Sequence, residues 1–68
     1  MPTPPRNLIR PGLTVDIVLK ADQRTGQFTR GVVADILTSS PEHPHGIKVR
    51  LLSGEVGRVQ NIVETPQE

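Results

Sequence analysis

The sequence predicts an all-β domain, a small barrel of four strands and a short fifth. Three observations carry this. Apolar residues recur at every second position in Val15/Ile17/Leu19, Val32/Ala34/Ile36 and Ile47/Val49/Leu51, and a period of two marks a strand with one face buried. Thr14–Leu19 alone holds Thr14, Val15, Ile17 and Val18, and β-branched side chains favour pleated over helical backbone. No stretch shows helical periodicity, and the apolar runs are separated by glycine- and proline-bearing breaks such as Arg10-Pro11-Gly12 and Ser53-Gly54. With 68 residues the chain makes one domain. Closing the sheet on itself removes strand edges that so short a chain has nothing else to cover.

The elements follow in order. Residues 1–9 read as a flexible N-terminal arm, with three prolines before Arg6 and with Leu8 and Ile9 as its first apolar anchors. The folded body is expected over residues 10–63. In the first strand, Thr14–Leu19, Val15, Ile17 and Leu19 share one face and Thr14, Asp16 and Val18 the other. Lys20–Gln27 is a polar loop with its tip at Arg24-Thr25-Gly26. Phe28–Leu37 is the longest strand. Both of its parities turn apolar after Gly31, so a bend is expected at that glycine, and Phe28, the only aromatic ring outside the histidines, is assigned to the core. Pro41 and Pro44 fix φ and stiffen the loop that enters the third strand at Gly46; there Ile47, Val49 and Leu51 point in, and Lys48 and Arg50 point out. Ser53-Gly54 makes a tight turn into a fourth strand, Glu55–Val59. Val56 and Val59 lie three apart, so a bulge is expected at Gly57. Gln60-Asn61 reads as a 3₁₀ turn that closes the barrel, Ile62-Val63 as the short fifth strand, and residues 64–68 as a flexible tail. This order of long loop, stiff loop, tight turn and 3₁₀ turn is that of an SH3-like barrel.

Composition narrows the function. The net charge is +1 and the isoelectric point near 8.4, mildly basic and well short of a nucleic-acid-binding extreme. The absence of cysteine removes disulfides and thiolate metal sites as staples. A domain of this size buries only about 60% of its unfolded-chain surface, so its stability is expected to be marginal, and the sequence leaves the oligomeric state open. No apolar run is long enough for a membrane span and the N-terminus lacks the apolar segment of a signal peptide; the expectation is a cytoplasmic protein without a membrane partner.

Each chemistry the residue types suggest has a plainer alternative. Glu42, His43 and His45 are zinc-ligand types, but a closed site needs four ligands and Asp35 or Asp22 would have to be brought in; the plainer reading, a structured loop with hydrogen-bonded imidazoles, is preferred, and no metal or other cofactor is expected. Thr38, Ser39, Ser40 and Asp35 stand near the histidines in sequence without any recognised nucleophile arrangement, and a core this small encloses a pocket with difficulty, so no catalytic residue is assigned. Arg24-Thr25-Gly26 and Ser53-Gly54 lack the spacing of a phosphate-binding loop. A proline-peptide groove needs several aromatics.

The runs Val18-Leu19-Lys20-Ala21-Asp22-Gln23-Arg24-Thr25-Gly26, Gly31-Val32-Val33-Ala34-Asp35-Ile36-Leu37-Thr38, Ser40-Pro41-Glu42-His43-Pro44-His45-Gly46-Ile47-Lys48-Val49-Arg50-Leu51 and Gly54-Glu55-Val56-Gly57-Arg58-Val59-Gln60-Asn61-Ile62 resemble the YwbE-like family of short uncharacterised proteins. The resemblance spans about Arg10 to Val63, with the His-Pro-His-Gly run its most specific part. It implies a stand-alone small domain with no established activity and supplies no catalytic residue.

What remains is binding. Lys20, Arg24, Arg30, Lys48, Arg50 and Arg58 lie in or beside the folded body, and clustered cations bind phosphates through counterion release. The first expectation is a non-enzymatic module for weak, backbone-directed binding of RNA or a ribonucleoprotein, with His43 and His45 adding hydrogen bonds. Against it stand Asp16, Asp22, Asp35 and Glu55, which interleave with the cations, and the shortage of aromatics for base stacking. The alternative is a protein-interaction module using the loop Pro41, Glu42, His43, Pro44, His45 and Gly46 together with the adjoining strand edge.

Overall fold

The computed structural model describes residues 3–64, and over that span the expected small barrel forms. Four strands, β1 (Thr14–Leu19), β2 (Thr29–Ile36), β3 (Lys48–Leu51) and β4 (Val56–Glu64), pair antiparallel in sequence order, and β4 returns to β1 to close the ring. Two 3₁₀ segments, Arg6–Leu8 and Lys20–Asp22, flank β1 on its two sides in sequence. The residues read as the ends of the arm and tail, Met1, Pro2 and 65–68, lie outside the described span.

The core is aliphatic. Val15, Ile17, Val33, Ile47, Val49, Leu51 and Val59 are fully enclosed, and Ile9 and Leu13 complete the cluster. Phe28 is not part of it. Its side chain is 49% exposed just before β2, a correction to the sequence expectation. The interior of a four-strand barrel is narrow, and the branched aliphatic side chains fill it without a ring.

The bends also fall elsewhere than expected. In β2 the register against β3 slips between Val33 and Asp35, so Ala34 is the extra residue, while Gly31 pairs regularly with Val15. Gly31 serves clearance instead: a Cβ there would stand 2.5 Å from Cδ1 of Leu51. In β4 there is no 3₁₀ turn at Gln60-Asn61 and no separate fifth strand. One nine-residue strand runs through, with extra residues at Gln60 and Val63, where its register against β1 shifts. Gly57, expected to bulge, pairs regularly with Val49 and Leu19, and its missing side chain admits the carbonyl of Val18, which would lie 2.6 Å from a Cβ. The reason is geometric. A bulge bends and twists its strand, so β4 can pair with β3 at its start and follow β1 along the rest of its length. The bulge at Gln60 also lets Val59 and Ile62, three apart, both face the core.

The N-terminal segment lies on the barrel. The backbone N–H of Arg6 donates to the carbonyl of Pro41 (2.8 Å) and its Nε to the carbonyl of Thr38 (2.9 Å). Ile9, 3% exposed, belongs to the core rather than to an arm. The β3–β4 turn forms as expected at Ser53-Gly54, with the Gly54 N–H donating to the Leu51 carbonyl (2.9 Å).

Candidate functional site

β1 is buried on both faces. Asp16 and Val18, on the face opposite Val15 and Ile17, are less than a tenth exposed. Asp16 lies opposite Arg30 in the β1–β2 register and takes its guanidinium at 3.0 Å. That hydrogen bond and the carboxylate's charge raise the arginine's pKa. Val18 lies opposite Arg58 on β4, and Arg58 lies opposite Lys48 on β3. Directly opposed residues point to the same side of a sheet with Cβ atoms about 5 Å apart. Val18, Arg58 and Lys48 therefore form one row across three strands on the outside of the barrel.

This row separates the six cations singled out in the sequence. Arg30 is paired with Asp16, and Arg50 with Asp35 at 2.8 Å. The second pair is half-exposed and contributes little to stability, but both pairs offset positive charge. No carboxylate among the described residues comes within 4.0 Å of the side chains of Lys48, Arg58, Lys20 or Arg24. Arg58 is half-buried, and among the described residues its Nη1 donates to a neutral acceptor, the Gly46 carbonyl, at 3.3 Å. The structure thus brings Lys48 and Arg58 together and takes Arg30 and Arg50 out of the free-cation set.

The proline–histidine loop is built onto the same row. The Gly46 N–H donates to the His43 carbonyl (3.0 Å), closing a turn around Pro44 and His45. Gly46 has φ +102°, a conformation suited to glycine, and a Cβ there would collide with the Val59 carbonyl. The His45 N–H donates to Nδ1 of His43 (3.1 Å), which fixes the neutral His43 with its proton on Nε2. Desolvation, the Arg58 charge and His45 together hold the His43 pKa below the ordinary imidazole value. Gln60, the bulge residue, donates from Nε2 to the carbonyls of His45 (3.0 Å) and Arg58 (3.4 Å). The strand edge offered to a partner in the sequence reading is not available, because β3 is paired on both sides, to β2 and to β4. No group of three or more His, Asp or Glu side chains converges on a common point among the described residues.

Between this loop and the turn after β1 runs an open groove of about 640 Å³. Val18, Phe28, Pro44, His45, Arg58 and Gln60 line it. Gln23 and Gly26 also line it; Arg24 lies between them in the sequence of that turn, and Lys20 opens the 3₁₀ segment that leads into it. Sequence reasoning missed Phe28, Val18 and Gln60 as site residues. For Phe28 a signal existed: the ring borders a polar loop in a chain with enough aliphatic residues to fill a small core. For Gln60 there was none, since its place depends on a bulge set by the partner strand.

The fold and this surface define a class, a small closed β-barrel with two adjacent cations, unpaired among the described residues, beside a groove. The family model described as "Uncharacterized conserved protein (DUF2196)" matches residues 3–62, and the chain belongs to that family. The curated "Uncharacterized protein YwbE" of Bacillus subtilis (strain 168) is 68% identical over 60 residues, spanning 88% of this chain and 92% of that relative. No solved structure matches the chain.

Proposed function

We propose that this protein is a non-enzymatic binding module that holds RNA, free or in a ribonucleoprotein, through its phosphate backbone. One observation carries the reading: Lys48 and Arg58 are register partners on the outer face, and among the described residues no carboxylate pairs with either. A half-buried guanidinium hydrogen-bonded to one carbonyl keeps donors for an anion, and arginine's planar fork suits phosphate. Arg24 and Lys20, on the turn across the groove, extend the positive surface along a second side. Arg30 and Arg50, already paired, contribute less. The overall charge of +1 argues for weak binding, set by the local arrangement rather than by a global field.

The test is an NMR titration of the labelled protein with short single-stranded RNA at low and at physiological salt. Salt-sensitive shifts at Lys20–Gly26, Lys48 and Arg58 are expected, with Lys48→Glu/Arg58→Glu abolishing them. A folded spectrum that does not move at low salt overturns the reading.

A further inference from the structure

The cationic row accounts for Lys48 and Arg58 but not for the groove beside them. Phe28 is the chain's only aromatic residue apart from the two histidines. A single exposed apolar side chain is ordinary on a protein surface; Leu52, at the β3–β4 turn, is exposed to 72%. Phe28 differs in its surroundings. It lines a groove together with Val18, which is almost wholly buried, and with His45, Arg58 and Gln60. Gln60 spends its Nε2 on the His45 and Arg58 carbonyls, which leaves Oε1 without a partner among the described residues and fixes the plane of the amide. The groove volume, about 640 Å³, falls within the range of about 300–1,000 Å³ usual for ligand sites. An aromatic face, a planar cation and a fixed amide acceptor are the groups that hold an unpaired base: stacking from the first, phosphate or base-edge contact from the second, edge contact from the third.

We infer that this groove takes one unpaired nucleobase of an RNA strand, stacked against Phe28, with the adjoining phosphate on Arg58 and Lys48. The inference rests on the phosphate-binding reading and adds to it a requirement for bases. A base inside a duplex presents no free face, so the site selects single strands.

The experiment compares two fluorescein-labelled probes on the intact protein at low salt: a six-residue oligouridylate, and a strand of the same length that keeps ribose and phosphate but lacks bases. The wild-type protein is expected to bind the abasic strand about 5- to 150-fold more weakly, the range spanned by one base–aromatic stack. Phe28→Ala is expected to lower oligouridylate binding to the abasic level without changing its salt dependence, and Phe28→Tyr to retain most of it. Equal binding of both probes by the wild-type protein overturns the base site and leaves the phosphate reading standing. Binding of neither probe overturns both. The wild-type comparison needs no variant, so the outcome does not depend on how Phe28→Ala folds.

Discussion

At Gly46 the backbone and the space around it make separate demands. The positive φ disfavours any L side chain, and the Val59 carbonyl occupies the position a Cβ would need. Gly26 makes only the first demand, with φ +74° and open space around it. Gly46→Ala is therefore expected to lower unfolding free energy by about 2–4 kcal/mol, and Gly26→Ala by about 1 kcal/mol, as read from urea denaturation. His43 yields a pH prediction. Its folded pKa is depressed below the ordinary value of about 6.5, so the unfolded chain binds more protons in the interval between the two values. Its contribution to stability is then full above about pH 6.5 and is lost as the pH falls through the folded value. The geometry agrees, because a proton on Nδ1 would displace the His45 N–H that this nitrogen accepts. Urea midpoints measured from pH 7.5 to pH 5 are expected to decline, and His43→Asn, which keeps an acceptor but does not titrate, to flatten that part of the decline.

At the scale of elements, the N-terminal segment behaves as part of the barrel. Ile9 is in the core and its neighbour Leu8 is 54% exposed, so the two form a matched pair. Ile9→Ala is expected to cost about 2–4 kcal/mol, from lost transfer energy and a cavity, and Leu8→Ala less than about 0.5 kcal/mol; thermal or urea unfolding of both variants checks the contrast. The strands show what a sequence can and cannot disclose. β1 was readable to the residue because β-branched side chains and alternation coincide there, and β3 because Lys48 and Arg50 separate buried neighbours. The bulges were not readable. A glycine marks backbone freedom, but Gly31 and Gly57 use theirs for close approach by Leu51 and by the Val18 carbonyl, whereas the extra residues fall at Ala34, Gln60 and Val63, where the partner strand's register requires them. The candidate site was half legible for the same reason. The outward direction of Lys48 follows from period two, while its adjacency to Arg58, the pairing of Arg50 with Asp35 and the groove wall at Phe28 depend on which strands meet.

Across the whole molecule, charge placement matters more than the net charge of +1. Of the six cations in or beside the barrel strands and the loop after β1, Lys20, Arg24, Lys48 and Arg58 lack a carboxylate partner within 4.0 Å among the described residues, as do Arg6 and Arg10 in the N-terminal segment, and Lys48 and Arg58 are adjacent across β3 and β4. If three to four of them meet phosphates, counterion release from a single strand gives a slope of log K against log salt of about −2 to −3. Arg30 and Arg50 begin paired, so neutralising either removes one charge and exposes another of opposite sign, Asp16 or Asp35. Arg50→Gln should then weaken binding slightly, through a repulsion that salt screens, and move the slope by much less than one phosphate contact, while Lys48→Gln should make the slope shallower by about 0.7. Fluorescence anisotropy with the oligouridylate probe at four or more salt concentrations separates the two. A slope that stays the same in Lys48→Gln and changes in Arg50→Gln would move the phosphate contacts along the same outer face toward Arg50 and Asp35 and away from the groove. Arg50 would then have to leave Asp35 on binding, an exchange of one ion pair for another whose small net gain conflicts with strong salt dependence.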